Sequence, residues 1–124
     1  MGRRCTHTGE EIRMEVILAV ALGGAIGAVL RVLVADILAD RPPRATLFVN
    51  IVGSFAAGVA LGSLSGVLLI LVTVGLCGAL TTFSTFANEV TTLARAGNYT
   101  AAGVYALMTA IACVGAVGIG LGLA

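Results

Sequence analysis

The sequence is poor in charge. Asp, Glu, Lys and Arg make up 10% of its 124 residues, there is no Trp, and every basic residue is an Arg. A soluble domain carries about a quarter of its residues charged, so this composition argues against a soluble enzyme. The net charge is +1, which offers neither a basic face nor an acidic tail and argues against a nucleic-acid partner. The three cysteines are odd in number. Cys77 and Cys113 fall within apolar runs, where a thiol reads as a small hydrophobe rather than half of a bridge. A disulfide-stapled secreted module is therefore excluded as well.

Apolar residues fill the space that charge leaves. They make up 59% of the chain, and mean hydropathy is +1.10. No charged residue stands between Ala45 and Asn88, or between Ala96 and Ala124. A membrane helix needs about 20 mainly apolar residues, so the first stretch holds two spans and the second holds one. Another begins at Val16 and runs to about Leu38. The second runs from about Thr46 to Leu64, after a tight loop at Arg41-Pro42-Pro43-Arg44. Ser65-Gly66 marks the next turn, and the third runs from Val67 to about Ala94. Gly97-Asn98 supplies a stop, with Thr100 as candidate cap for the fourth. The expected fold is an all-α integral membrane domain of four helices over residues 16–124. Residues 1–15 form a polar, flexible leader.

The third span is longer than one crossing requires, and Gly75 and Gly78 precede a run of hydroxyls. A break near Gly78–Thr82 is expected there. Carbonyls freed at membrane depth need protein, water or an ion as partner, and they suit a hard cation such as Na⁺. Glycine pairs at Gly23/Gly27, Gly58/Gly62 and Gly118/Gly122 have the spacing of close helix packing. Helices this rich in Gly and Ala form a thin bundle, so any pore is expected between subunits. With four spans, Arg3, Arg4 and Arg13 fall on one side and Arg41, Arg44 and Arg95 on the other. This three-against-three balance fixes no orientation and suits a protein that inserts both ways and pairs antiparallel.

Polar side chains inside spans are the functional candidates. Thr46, Asn50 and Ser54 lie on one face of the second helix, and Tyr105, Thr109 and Cys113 on one face of the fourth. Thr81, Thr82, Ser84 and Thr85 cluster in the third. Each hydroxyl taken singly also fits a bond to the carbonyl four residues back. Together they are neutral donors without a mid-span carboxylate or a metal-ligand cluster, which favours a small anion over protons or metal ions. Arg31 either raises anion concentration at a vestibule or snorkels to the interface. Phe83 and Phe86 share a helical face, as core or lipid-facing rings or as positive ring edges along an anion path.

The string Gly75-Leu-Cys-Gly78-Ala-Leu-Thr81-Thr-Phe83-Ser-Thr-Phe86 resembles the signature of the Fluc (CrcB) fluoride channel family. Gly23-Gly24-Ala-Ile-Gly27-Ala-Val-Leu-Arg31 and Thr46-Leu-Phe-Val-Asn50-Ile-Val-Gly53-Ser54-Phe55 resemble its other patterns, in order, across roughly residues 17–115. The resemblance implies an antiparallel dual-topology dimer in the cell membrane, built from two copies or from a paired homologous subunit. It implies two fluoride pores and a central structural Na⁺ held by the Gly78 and Thr81 carbonyls of each subunit. Asn50 would donate in the pore, and Phe83 and Phe86 would line it. Ser84, Thr85, Tyr105, Thr109 and Cys113 would extend the polar track, and Arg31 would sit at the vestibule. Val32 and Cys113 depart from the aromatic and the hydroxyl common at those places. A small four-helix drug exporter would need a carboxylate in the first span, and Val16–Leu30 has none. A non-transporting assembly subunit would leave the aligned polar stripes unexplained.

Overall fold

The computed structural model describes residues 4–40 and 42–124, with side chains over 8–40 and 44–124. Every regular element in it is helical: α1 (Arg4–Ile37), α2 (Pro42–Ser63), α3 (Gly66–Ile70), a π-helical segment (Leu71–Cys77), α4 (Gly78–Leu80), α5 (Phe83–Arg95) and α6 (Tyr99–Leu123). Four stretches are long and apolar enough to cross a membrane: Thr8–Ile37, Arg44–Ser63, Gly66–Arg95 and Tyr99–Leu123. The third combines α3, the π segment, α4 and α5, and it bends where α4 gives way to α5.

The termini of these helices differ from expectation in ways their sequences explain. The segment expected as a flexible leader is helical from Arg4. Glu10, Glu11, Arg13, Met14 and Glu15 are good helix formers, and extending an existing helix adds one bond per residue fixed. With 34 residues at about 1.5 Å each, α1 is about 50 Å long, more than the about 30 Å hydrocarbon core. Its charged end therefore projects beyond the bilayer. The loop read at 41–44 is shorter than expected, because α2 starts at Pro42, and proline is at home in a first turn. Arg3 and Arg41 lie outside the described residues.

The stop after α5 is made by Gly97, whose φ of 81° lies in the left-handed region where a Cβ is costly. Asn98 N–H reaches back to the Leu93 carbonyl at 3.1 Å and Gly97 N–H to that of Ala94 at 3.0 Å, the paired bonds that close a helix on glycine. The next cap is Asn98 rather than Thr100: its Oδ1 accepts from Ala101 N–H at 3.3 Å. Asparagine is the stronger cap, and the turn at Gly97 places it one residue ahead of the helix.

Close approach between backbones holds the bundle. On α1, Gly23 packs on the π segment, and a Cβ added at Gly75 would stand 3.0 Å from Gly23 Cα. On the opposite side α2 and α6 meet at Gly58 and Gly120; a Cβ on Gly120 would come 2.9 Å from Val59 N. The expected pair on α6 is thereby corrected, since Gly118 and Gly122 have nothing within 4 Å of a built Cβ. They sit on the other face of the helix from Gly120. The buried apolar residues are mostly small, among them Ala19, Ala60, Ala102 and Ala116, and among the described residues no large side chain is fully buried. The bundle is thin: among the described residues few side chains are buried.

Candidate functional site

The site is built around the break in the third span. After α4 the chain runs extended through Thr81 (φ −75°, ψ 152°) and Thr82 (φ −140°, ψ 119°) before turning helical again at Phe83. Of the backbone N–H groups that leave the helical register there, two are taken up by side chains. Thr82 N–H, which a continuous helix would give to the Gly78 carbonyl, is donated to Asn50 Oδ1 at 2.9 Å. Thr85 N–H, the register partner of the Thr81 carbonyl, is donated to Thr82 Oγ1 at 3.3 Å. The last helical bond before the break is Thr81 N–H to the Cys77 carbonyl at 3.0 Å. Gly78 and Thr81 thus present main-chain oxygens whose usual donors are engaged elsewhere, the form of backbone that binds an alkali cation in broken membrane helices. Among the described residues there is no group of three His, Cys, Asp or Glu suited to a metal.

Asn50 fastens the break to α2. Besides accepting from Thr82 N–H, its Nδ2 donates to the Thr82 carbonyl at 3.3 Å. The buried amide therefore satisfies both main-chain groups of one buried residue. A carboxamide carries two N–H donors, and the bond to Thr82 uses one. The other is available to the open groove that Asn50 lines.

That groove, about 330 Å³, is lined by Asn50, Ser54, Thr81, Thr82, Phe83, Phe86, Thr109, Ala110 and Cys113. It gathers side chains from α2, the break, α5 and α6, including six of the expected site residues: Asn50, Thr81, Phe83, Phe86, Thr109 and Cys113. The Phe83 and Phe86 rings lie 5.9 Å apart, tilted by 51°, and Phe86 lies 5.6 Å from the Tyr105 ring. Phe83 is 79% exposed, an open ring at the rim. A second cavity of about 190 Å³ brings Arg31 together with Thr46, Thr82 and Thr85. Arg31 and Thr85 are therefore near the break but on a different wall. Ser84 stands beside them, its Oγ 3.3 Å from Thr82 Oγ1.

Two residues have roles at the site that the sequence did not show. Thr82 is the hub of the break, and it caps α5 with its hydroxyl. Glu89 corrects the expectation that no carboxylate stands within a span. It lies well inside α5, six residues before Arg95, and accepts from Thr46 Oγ1 at 2.8 Å and from Tyr105 Oη at 2.6 Å. One carboxylate thus ties α2, α5 and α6 together, and Tyr105 faces it rather than the larger groove. The signal for both was available: Thr82, Thr85 and Glu89 have i, i+3, i+7 spacing on one helical face.

Comparison with known proteins gives the family of the sequence. The model of the family described as CrcB-like protein, Camphor Resistance (CrcB), matches residues 18–121. Among curated proteins, the fluoride-specific ion channel FluC of Methanococcus maripaludis is 40% identical over 114 residues, covering 86% of this chain and 93% of its own. That of Shewanella sp. strain ANA-3 is 43% identical over 110 residues, covering 82% and 89%. That of Shewanella woodyi is 52% identical over 93 residues, covering 68% and 75%. These relatives are named as channels and not as enzymes.

Proposed function

Because the chain belongs to the CrcB-like family, we propose that it is a passive fluoride-selective channel that lets fluoride out across the cell membrane and so protects the cell from it. The observation that carries this reading is the groove in which Asn50, Thr109 and Cys113 meet Phe83 and Phe86 on a chain of four membrane-spanning helices. Fluoride holds its water tightly. A path for it needs closely spaced donors that replace the shell, with each site weak enough to release the ion. Neutral hydroxyls and an amide N–H supply donors, and the positive edges of two Phe rings add attraction without a fixed charge. Ser84 and Thr85 continue the track from Thr109, and Arg31 concentrates anions at its mouth. A passive channel needs no titrating group for coupling.

The working unit in this reading is an antiparallel dimer, of two copies or of this chain with a homologous subunit. The groove is open along one side, and polar atoms facing hydrocarbon are costly. A second subunit of opposite orientation would close the groove and pair it with its own, giving two pores. The even arginine count supports dual insertion. At the centre, the Gly78 and Thr81 carbonyls of each subunit would hold a structural Na⁺, whose charge would fix the two breaks against each other. The reading is tested by anion release from liposomes containing this chain alone, where fluoride should leave rapidly and chloride should not.

A further inference from the structure

One face of α2 meets the break at two consecutive residues. Asn50 Oδ1 accepts from Thr82 N–H at 2.9 Å. In a planar trans peptide the C=O points opposite to the N–H, so the Thr81 carbonyl is turned away from Asn50. Gly53 lies one turn further along the same face and is buried. A Cβ built on it would overlap Thr81 Cγ2, whereas the next atoms, the Cys77 carbonyl oxygen and Thr81 Cβ, stand 3.8 Å away. The Thr81 methyl is therefore what excludes a side chain from position 53. It is not free to swing aside. Thr81 Oγ1 donates to the Cys77 carbonyl at 2.9 Å, and rotation about χ1 would break that bond. The same carbonyl accepts from Thr81 N–H at 3.0 Å, so both of its lone pairs are used. Cys77 is thereby withdrawn from a cation, which leaves the oxygens of Gly78 and Thr81.

Resting on the reading of the break as half of a Na⁺ site, we infer that Gly53 and the Thr81 side chain form a lock that positions the Thr81 carbonyl for the ion. Asn50 sets the direction of that carbonyl through the shared peptide plane. The methyl, seated on the bare backbone of Gly53, sets how close the break stands to α2. The hydroxyl holds the methyl in its seat and fills the Cys77 oxygen. Neither side-chain group touches the cation. Both are positioning groups, and the lock makes a demand that general packing does not: the seat must be empty only as long as the methyl is there.

The test is a double-mutant cycle of Gly53→Ala and Thr81→Ser, since serine keeps the hydroxyl and removes the methyl. Melting of the assembly is followed as Na⁺ replaces a bulky organic cation at constant ionic strength, with fluoride release measured on the same preparations. Gly53→Ala should raise the Na⁺ concentration for half-maximal stabilisation about tenfold or more, the usual loss when a group that orients metal ligands is changed. In a chain already carrying Thr81→Ser, the same Gly53→Ala change should leave that midpoint where Thr81→Ser alone puts it. Should Gly53→Ala prevent assembly, its recovery on adding Thr81→Ser supports the seat, and persistent loss overturns it. An unshifted midpoint in Gly53→Ala, or an equal shift with and without Thr81→Ser, would overturn the lock and leave the Na⁺ reading in place. An unmodified chain whose melting and fluoride release ignore Na⁺ would overturn the Na⁺ reading and the lock with it.

Discussion

At the scale of single residues, the site separates side chains that build from side chains that line. Asn50 does both. It satisfies the Thr82 N–H and carbonyl, so Asn50→Ala leaves two buried main-chain groups without partners, each costing about 1–3 kcal/mol. The variant should lose fluoride flux and several degrees of thermal stability together. Phe83→Ile and Phe86→Ile remove rings that stand on the groove wall, Phe83 being largely exposed. They should lose flux at least about tenfold, as expected when a favourable interaction of about 1.4 kcal/mol along the path is removed, while the assembly melts as before. Parallel melting and efflux measurements decide this, and Phe variants with normal flux would remove the rings from the path. The polar stripes were legible because the period of 3.6 puts Asn50 beside Ser54 and Thr109 beside Cys113. The bracing role of Asn50 was not, since its partner lies 32 positions away and spacing says nothing across helices. The spacing put Glu89 on the face of Thr82 and Thr85, but its partners Thr46 and Tyr105 lie on other helices. Only the break shows how deep in α5 it lies.

At the scale of elements, glycine does two different jobs that composition alone does not distinguish. Gly58 and Gly120 let α2 and α6 touch through their backbones, whereas Gly122 has open space around it. Gly120→Ala should therefore lower the melting temperature, with an overpacking penalty of about 1–3 kcal/mol. Gly122→Ala should be neutral or slightly stabilising, because alanine favours a helix by about 1 kcal/mol over glycine. Equal melting temperatures for the two variants would refute the assigned contact faces. The four spans and the break could be read from the sequence, as charge gaps of the right length and a glycine pair before a hydroxyl run. The π segment Leu71–Cys77 could not. A widened turn depends on how the helix seats against Gly23 and Gly27 of α1, a contact between distant parts of the chain.

At the scale of the whole molecule, a thin bundle with an open polar groove would be half of a pore in the proposed dimer. The proposed dimer and its Na⁺ are linked, because carbonyls from two breaks facing each other across a shared axis would repel without a cation between them. Replacing Na⁺ by a bulky organic cation should weaken the dimer and slow fluoride release, whereas unchanged dimer stability would count against the central ion. In the proposed reading, the balance of arginines lets the chain insert in both orientations, and a single chain would then suffice to assemble the channel. The most direct test uses liposomes holding only this purified chain, with fluoride and chloride electrodes recording release in parallel. The account predicts rapid fluoride release with negligible chloride release. Well-folded protein that releases neither ion, or both alike, would contradict it.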